Sequence, residues 1–226
     1  MDTQYKYRAK NISEFVFANE EVQRQITRYA EGKTFRPLVM FGPNGTGKST
    51  LADLIPKAID GDQVKVTKIK AEDLNSNVEV RKIFTRTKQF DKLFKTDGQS
   101  RNYTVVEEVN FDPKAKGAIR TSLDDMEGRD LIIFTTNEME KLDAGILSRA
   151  EVVEVPPVSP ENFLWKAQEI LKSEGVELED AEALEVLESV YEISKDNRAY
   201  YKALDQIIEG RLAVSKEIKF VRKEMK

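Results

Sequence analysis

The sequence predicts an α/β fold: a parallel sheet flanked by helices over residues 1–156, followed by a small all-helical unit over 157–226. Three observations predict it. Up to about residue 155, short apolar runs alternate with segments of helical spacing, and repeated β-α alternation builds parallel sheets with helices on both faces. One of those runs, Pro37-Leu38-Val39-Met40-Phe41, leads directly into the glycine-rich stretch GPNGTGKST at residues 42–50. The character then changes at Pro156-Pro157, beyond which every periodic segment is helical.

The elements follow in order. Residues 20–31 have helical spacing, and the run 37–41 is a buried strand that the glycine-rich stretch joins to a helix over 49–58. Val64-Lys65-Val66-Thr67-Lys68-Ile69 alternates apolar and polar residues, as a strand near a sheet edge does. A helical pattern covers 78–94. Tyr103-Thr104-Val105-Val106 and Leu131-Ile132-Ile133-Phe134 are apolar runs suited to buried parallel strands, with a helical pattern over 115–126 between them. Val152-Val153-Glu154-Val155 is a further strand. In the second unit Ser159 caps a helix with Pro160 at its first position, and Phe163, Leu164, Ala167, Ile170 and Leu171 recur at helical spacing until Gly175. A second helix carries Ala183, Leu184, Leu187, Val190 and Tyr191. A third starts near Asp196 and passes through Leu204, Ile207 and Ile208 toward a basic tail.

Composition bounds the chemistry. At 226 residues, 40% hydrophobic and 34% charged, the chain has the make-up of a soluble globular protein with length enough to bury a core. No apolar stretch approaches membrane-spanning length, and the N-terminus lacks a signal-peptide core, so no membrane association and a cytoplasmic location are the expectation. The absence of cysteine excludes disulfides, thiolate metal sites and a catalytic thiol. There is no histidine either, so general-base work falls to carboxylates, lysine or water held by polar groups. The net charge of −4 argues against an indiscriminate nucleic-acid coat. Residues 161–192 carry ten Asp/Glu against two Lys, whereas residues 62–101 carry ten Lys/Arg against six Asp/Glu. The basic stretch is where a nucleic-acid surface is expected, if there is one.

Gly42-Pro43-Asn44-Gly45-Thr46-Gly47-Lys48-Ser49-Thr50 has the spacing of a phosphate-binding loop, in its expected setting after a strand and before a helix. Glycines let the backbone turn tightly, so that successive N–H groups point into one concavity and hold phosphate oxygens. Lys48 then reaches the β- and γ-phosphates, Ser49 is placed to ligate Mg²⁺, and the helix adds its positive end. The chain is therefore expected to bind a nucleoside triphosphate, and the loop alone leaves kinases, GTPases and many ATPases open. The run 103–106 leads straight into Glu107-Glu108, two carboxylates at the carboxyl end of a buried strand, where open α/β sheets place ligand-facing groups. Glu107 suits Mg²⁺, usually through water, and Glu108 suits polarisation of the attacking water. The next strand ends in Thr135-Thr136-Asn137, whose amide can orient that water or contact the γ-phosphate, although Asn is also a common turn former. Arg149, just before a strand, is either a surface arginine or a finger inserted into a neighbour's site.

Together these pieces resemble the AAA+ ATPases, and within them the clamp-loader branch, over nearly the whole chain. Tyr5-Lys6-Tyr7-Arg8-Ala9 is similar to the start of replication factor C small subunits and phage clamp-loader ATPase subunits, where a lysine-tyrosine-arginine-proline element borders the adenine; Ala9 stands at the proline. Residues 42–49 match Walker A and 105–108 match Walker B. Ala118-Ile119-Arg120-Thr121-Ser122-Leu123-Asp124 resembles the family's alanine-leucine-arginine-arginine-threonine-methionine-glutamate helix. Thr136-Asn137 falls on sensor 1 and Leu147-Ser148-Arg149-Ala150 on the serine-arginine-cysteine element, with Ala150 at the cysteine. Asp196-Asn197-Arg198 resembles sensor 2. The resemblance implies a P-loop AAA+ module with a helical lid: Tyr7 and Arg8 near adenine, Asn137 sensing the γ-phosphate, Arg198 reaching it from the lid, and Arg149 acting in trans.

It also implies an ATP-bridged homo- or hetero-oligomer that grips DNA and loads a sliding clamp or a similar replication protein. Arg81, Lys82, Arg86 and Lys88, with Arg120, are the candidates for a phosphate backbone. Two departures qualify this. Glu107 replaces the usual Walker B aspartate and puts its carboxylate one methylene farther out, so slower turnover is expected because Mg²⁺ demands near-ideal octahedral geometry. The chain ends at Lys226, after the lid, where clamp loaders continue into a helical collar, so assembly through nucleotide-bridged faces or a partner is expected. A helicase-loading or protein-remodelling role would need a pore-loop aromatic, and Phe84, Phe90 and Phe94 are spaced instead for a buried helical face. A structural subunit that uses ATP as glue, with little hydrolysis, is the other alternative.

Overall fold

A computed structural model of the chain describes residues 2–70, 80, 101–109, 113–126 and 130–210. Five parallel strands form one sheet: β1 (Leu38–Phe41), β2 (Val66–Lys70), β3 (Tyr103–Glu107), β4 (Leu131–Thr136) and β5 (Glu151–Glu154), in the order β2-β3-β4-β1-β5. The helices are α1 (Thr3–Lys6), α2 (Glu20–Ala30), α3 (Lys48–Asp60), α4 (Pro113–Asp124), α5 (Ala144–Leu147), α6 (Pro160–Ser173), α7 (Asp180–Ile193) and α8 (Arg198–Ile208).

The expected parallel sheet with flanking helices is present, and the apolar runs explain its order. β4 is buried along its whole length and β3 along all but its last residue, which matches unbroken apolar runs in a sheet covered on both faces. The alternating stretch at 64–69 forms an edge strand, shifted to Val66–Lys70, with only Ile69 buried. Val39, Val106, Ile132 and Phe134 turn to one face and pack with Ala115, Ala118, Ile119 and Leu123 of α4. Because side chains alternate along a strand, the equally buried Leu38, Met40, Val105 and Ile133 turn to the other face.

Several boundaries move for identifiable reasons. α3 runs to Asp60 rather than 58 and tolerates Pro56 inside it. α4 begins at Pro113, where the ring's fixed φ suits a first helical position, and ends at Asp124 instead of 126. The last helix starts at Arg198 rather than near Asp196, because Asp196 accepts a hydrogen bond from the Arg198 N–H as a turn residue does. α2 ends one residue early, and β5 starts one residue early, at Glu151. The helix expected over 78–94 lies outside the described residues except for Val80, which is buried.

The chain divides into two compact units. One comprises Met1–Gln23, Pro43–Gly47 and Val155–Lys226, and the other comprises Arg24–Gly42 and Lys48–Glu154. In the first, Phe163 stacks on Tyr200 at 4.6 Å, and the Tyr200 hydroxyl donates to the Val158 carbonyl at 2.9 Å. Ser159 caps α6 as expected, and Gly175 at φ 76° ends it while the Val176 N–H donates back to Leu171. The N-terminal segment belongs to this unit: the Thr3 N–H donates to Asp205 and its hydroxyl donates to the Tyr201 carbonyl, both at 3.0 Å.

Candidate nucleotide site

β1 ends at Phe41 and α3 begins at Lys48, so residues 42–47 are the whole connection. Its conformation needs glycine at two points. Gly47 has φ 98°, and a Cβ there would come within 2.7 Å of the Phe15 ring. Gly45 has φ 75°, and a Cβ there would overlap the Asp196 carboxylate. Thr46 is buried and its hydroxyl donates to the Pro43 carbonyl at 3.1 Å, which tightens the turn. Lys48 is buried as well, and its ammonium donates to the Gly42 carbonyl at 2.7 Å. Pro43, Asn44 and Ser49 are exposed, and Thr50 is half-buried.

These residues fit an anion. The first turn of α3 carries no acidic residue, and a helix N-terminus with a lysine in its first turn favours an anion. Among the described residues there is no cluster of three Asp, Glu, His or Cys that would cage a metal. One hydroxyl, one carboxylate, phosphate oxygens and water are the usual donor set for Mg²⁺ carried with a nucleotide, and Ser49 in the first turn of α3 and Glu107 at the end of β3 are residues of the types that could hold it.

Strand register brings the other candidates to the same end of the sheet. Phe41 pairs with Thr136, and Val106 pairs with Phe134, so the carboxyl ends of β1, β4 and β3 lie side by side. Glu107 is the last residue of β3 and half-buried. Glu108 follows, exposed, at φ 54°. A left-handed conformation at a non-glycine residue costs on the order of 1–3 kcal/mol and clusters at working sites. It is held there by its neighbour: the Val109 N–H donates to the Thr135 carbonyl at 2.9 Å, and the Thr136 hydroxyl donates to the Val109 carbonyl at 3.3 Å. Asn137, exposed, comes next after Thr136.

The arginines are engaged within the chain. Arg149 grips Asp124 with two hydrogen bonds, Nε at 2.6 Å and Nη2 at 3.0 Å, and Nη1 donates to the Gly145 carbonyl at 2.7 Å. That bidentate bond holds the Asp124 carboxyl below its ordinary pKa and raises the guanidinium's. Arg120 lies on the same helix, its Nε 3.6 Å from Asp143. Arg198 opens α8 and its guanidinium grips both oxygens of Asp196, while Oδ1 also accepts its backbone N–H. Burial pushes the Asp196 pKa up, but the bonds from the Arg198 side chain and backbone outweigh it, and the carboxyl stays below its ordinary value. Tyr7 is half-buried against the helical core and donates its hydroxyl to Glu174 at 2.5 Å, while Arg8 is exposed.

Arg81, Lys82, Arg86 and Lys88, and Phe84, Phe90 and Phe94, lie outside the described residues. Sequence reasoning missed four residues that touch the candidates: Asp124, Asp196, Glu174 and Phe15. Two of them stood in quoted motifs. Asp196 precedes Arg198 by two residues and Asp124 closes the helix of Arg120, but only a structure shows which arginine each one holds. Among the described residues no helix is long and apolar enough to cross a membrane.

Comparison with known proteins gives this arrangement a family. The chain is 25% identical over 193 residues to "Replication factor C small subunit 1" of Pyrobaculum arsenaticum, covering 84% of this chain and 56% of the relative. It is 27% identical over 187 residues to "Replication factor C small subunit" of Thermoplasma acidophilum, covering 82% and 58%. The chain thus spans little more than half the length of these curated relatives. A solved RuvB variant of Thermotoga maritima shares the fold, with a TM-score of 0.72 at 15% identity over 96% of this chain and 72% of that one. Residues 38–157, more than half of the chain, match the profile of the ATPase family associated with various cellular activities, and the chain belongs to that AAA family.

Proposed function

We propose that the chain is an ATP-binding and ATP-hydrolysing switch of the clamp-loader type, coupling nucleotide turnover to assembly on DNA and to loading of a sliding clamp or similar replication protein. The observation that carries this reading is that β1, which leads into the phosphate loop, β3, which ends in Glu107, and β4, which precedes Asn137, are neighbours with their carboxyl ends side by side. The similarity to replication factor C small subunits supports the clamp-loader part. We take residues 1–156 as the nucleotide-binding domain and 157–226 as the helical lid, with the N-terminal segment of the former packed on the helices of the latter.

The roles follow from chemistry. Backbone N–H groups of residues 42–50 cradle the phosphates, and the Lys48 ammonium exchanges the Gly42 carbonyl for phosphate oxygen. Ser49 and Glu107 would hold Mg²⁺, which would supply positive charge against the phosphoryl group. Glu108 takes a proton from the attacking water, and its left-handed backbone turns an exposed carboxylate out at the strand end. Asn137 orients that water. Arg198 meets the terminal phosphate, Tyr7 and Arg8 border the adenine, and Arg149 leaves Asp124 to complete a neighbour's site. Arg120, with Arg81, Lys82, Arg86 and Lys88, meets the DNA backbone.

A second reading is an ATP-glued structural subunit with little hydrolysis. The intrachain Arg149–Asp124 pair favours it, since a finger so held contributes nothing to turnover until it is released. Steady-state ATP hydrolysis across a protein dilution series, with and without primer–template DNA, separates the two. Specific activity that rises with concentration and rises again with DNA supports the switch. Flat, negligible turnover under both conditions supports the scaffold.

A further inference from the structure

The turn before α8 places a carboxylate on the phosphate loop. Asp196 approaches Gly45 so closely that its carboxylate occupies the space a Cβ would fill. Both oxygens are committed to Arg198: Oδ1 accepts from the backbone N–H and Nε, each at 2.9 Å, and Oδ2 accepts from Nε at 2.9 Å and Nη2 at 2.5 Å. The backbone beneath is fixed. The Asp196 N–H donates to the Ser194 hydroxyl at 3.2 Å, and Asn197 Oδ1 accepts the Val158 N–H at 3.0 Å. The Asp196 side chain is only 28% exposed.

A carboxylate and a phosphate oxygen seek the same donors and repel each other. We propose that Asp196 is a gate on nucleotide binding: it stands on the phosphate loop and holds Arg198, and an incoming triphosphate must displace it to reach both. The proposal rests on the nucleotide-binding reading above and adds a residue that opposes binding. Its effect is largest for the ligand whose terminal phosphate takes Arg198, so it weighs more on a triphosphate than on a diphosphate.

The test compares the wild-type full chain with Asp196→Asn, which keeps the shape and an acceptor for the Arg198 N–H while removing the charge. Affinities for ATPγS and ADP are measured with Mg²⁺ by calorimetry. The expected result is about 5- to 20-fold tighter binding of ATPγS, with a smaller gain for ADP. A defect that merely loosened the turn would weaken both ligands. Unchanged or weaker ATPγS binding, or an equal gain for both nucleotides, overturns the gate and leaves the nucleotide reading intact. Failure of wild type and variant alike to bind either nucleotide overturns both. Asp196→Ser, which retains a side-chain oxygen for the N–H, serves as the second variant if thermal melting shows Asp196→Asn to be unfolded.

Discussion

At the carboxyl ends of β1, β3 and β4 the backbone does the positioning, whereas around Arg149 and Arg198 side chains do. Glu107 and Asn137 lie at one end of the sheet because parallel register puts them there, and the loop keeps its path through φ values of 75° at Gly45 and 98° at Gly47. Arg149 and Arg198 each rest on a nearby aspartate by hydrogen bonds that one substitution would remove. Groups fixed by a covered sheet stay put when a ligand arrives. Groups fixed by an exchangeable carboxylate can change partners, and that suits residues whose task depends on what has bound.

The largest expected effect probes the exchangeable side. Arg149→Ala should lower ATP turnover by about 10³- to 10⁵-fold at high protein concentration, with nucleotide affinity kept. Turnover at the wild-type rate would mean that the guanidinium never leaves Asp124 for a neighbour. On the fixed side, Glu108→Gln should cost about 10²- to 10⁴-fold in turnover while ATP still binds. Normal single-turnover rates in that variant would remove Glu108 from the site.

A third substitution tests whether the two regions meet in one residue. Gly45→Ala should destabilise the fold by about 1–3 kcal/mol in chemical denaturation, since it combines a disfavoured φ with overlap on Asp196. Adding Asp196→Gly should recover only part of that loss, because the backbone conformation remains. Full recovery would show that sterics alone reserve the position for glycine.

The smallest effect concerns Glu174, whose carboxyl is held below its ordinary pKa first by Lys6 and then by the Tyr7 hydroxyl. A depressed folded-state pKa stabilises the fold above the unfolded value, about 4.3, and that contribution is lost as pH falls through the lowered value. Glu174→Gln should therefore lower Tm by about 1–3 °C at pH 7, with the difference closing below about pH 4. A difference that persisted at pH 3 would point to packing rather than charge.

Much of the fixed region was legible in the sequence, because strand burial and loop spacing are properties of adjacent residues. The runs at 103–106 and 131–134 gave buried central strands, and the alternating stretch at 64–69 gave an edge strand. The glycine spacing gave the loop. The exchangeable contacts were not legible. Asp124 and Arg149 are twenty-five residues apart, and neither periodicity nor spacing joins them. The packing of residues 2–23 on the helices was equally hidden, since Thr3 and Asp205 meet only in three dimensions. The left-handed backbone at Glu108 also left no mark, because glutamate gives no hint of a positive φ.

Arg149 in its resting place is a guarded group. A guanidinium already satisfied by two carboxylate oxygens is indifferent to stray anions that offer no more than a single carboxylate does. Only a site with several negative oxygens at the right spacing can outbid Asp124. On the proposed reading, the pair therefore works as a filter: a subunit that docks against an empty neighbour leaves Arg149 where it is, and one that docks against a triphosphate draws it across.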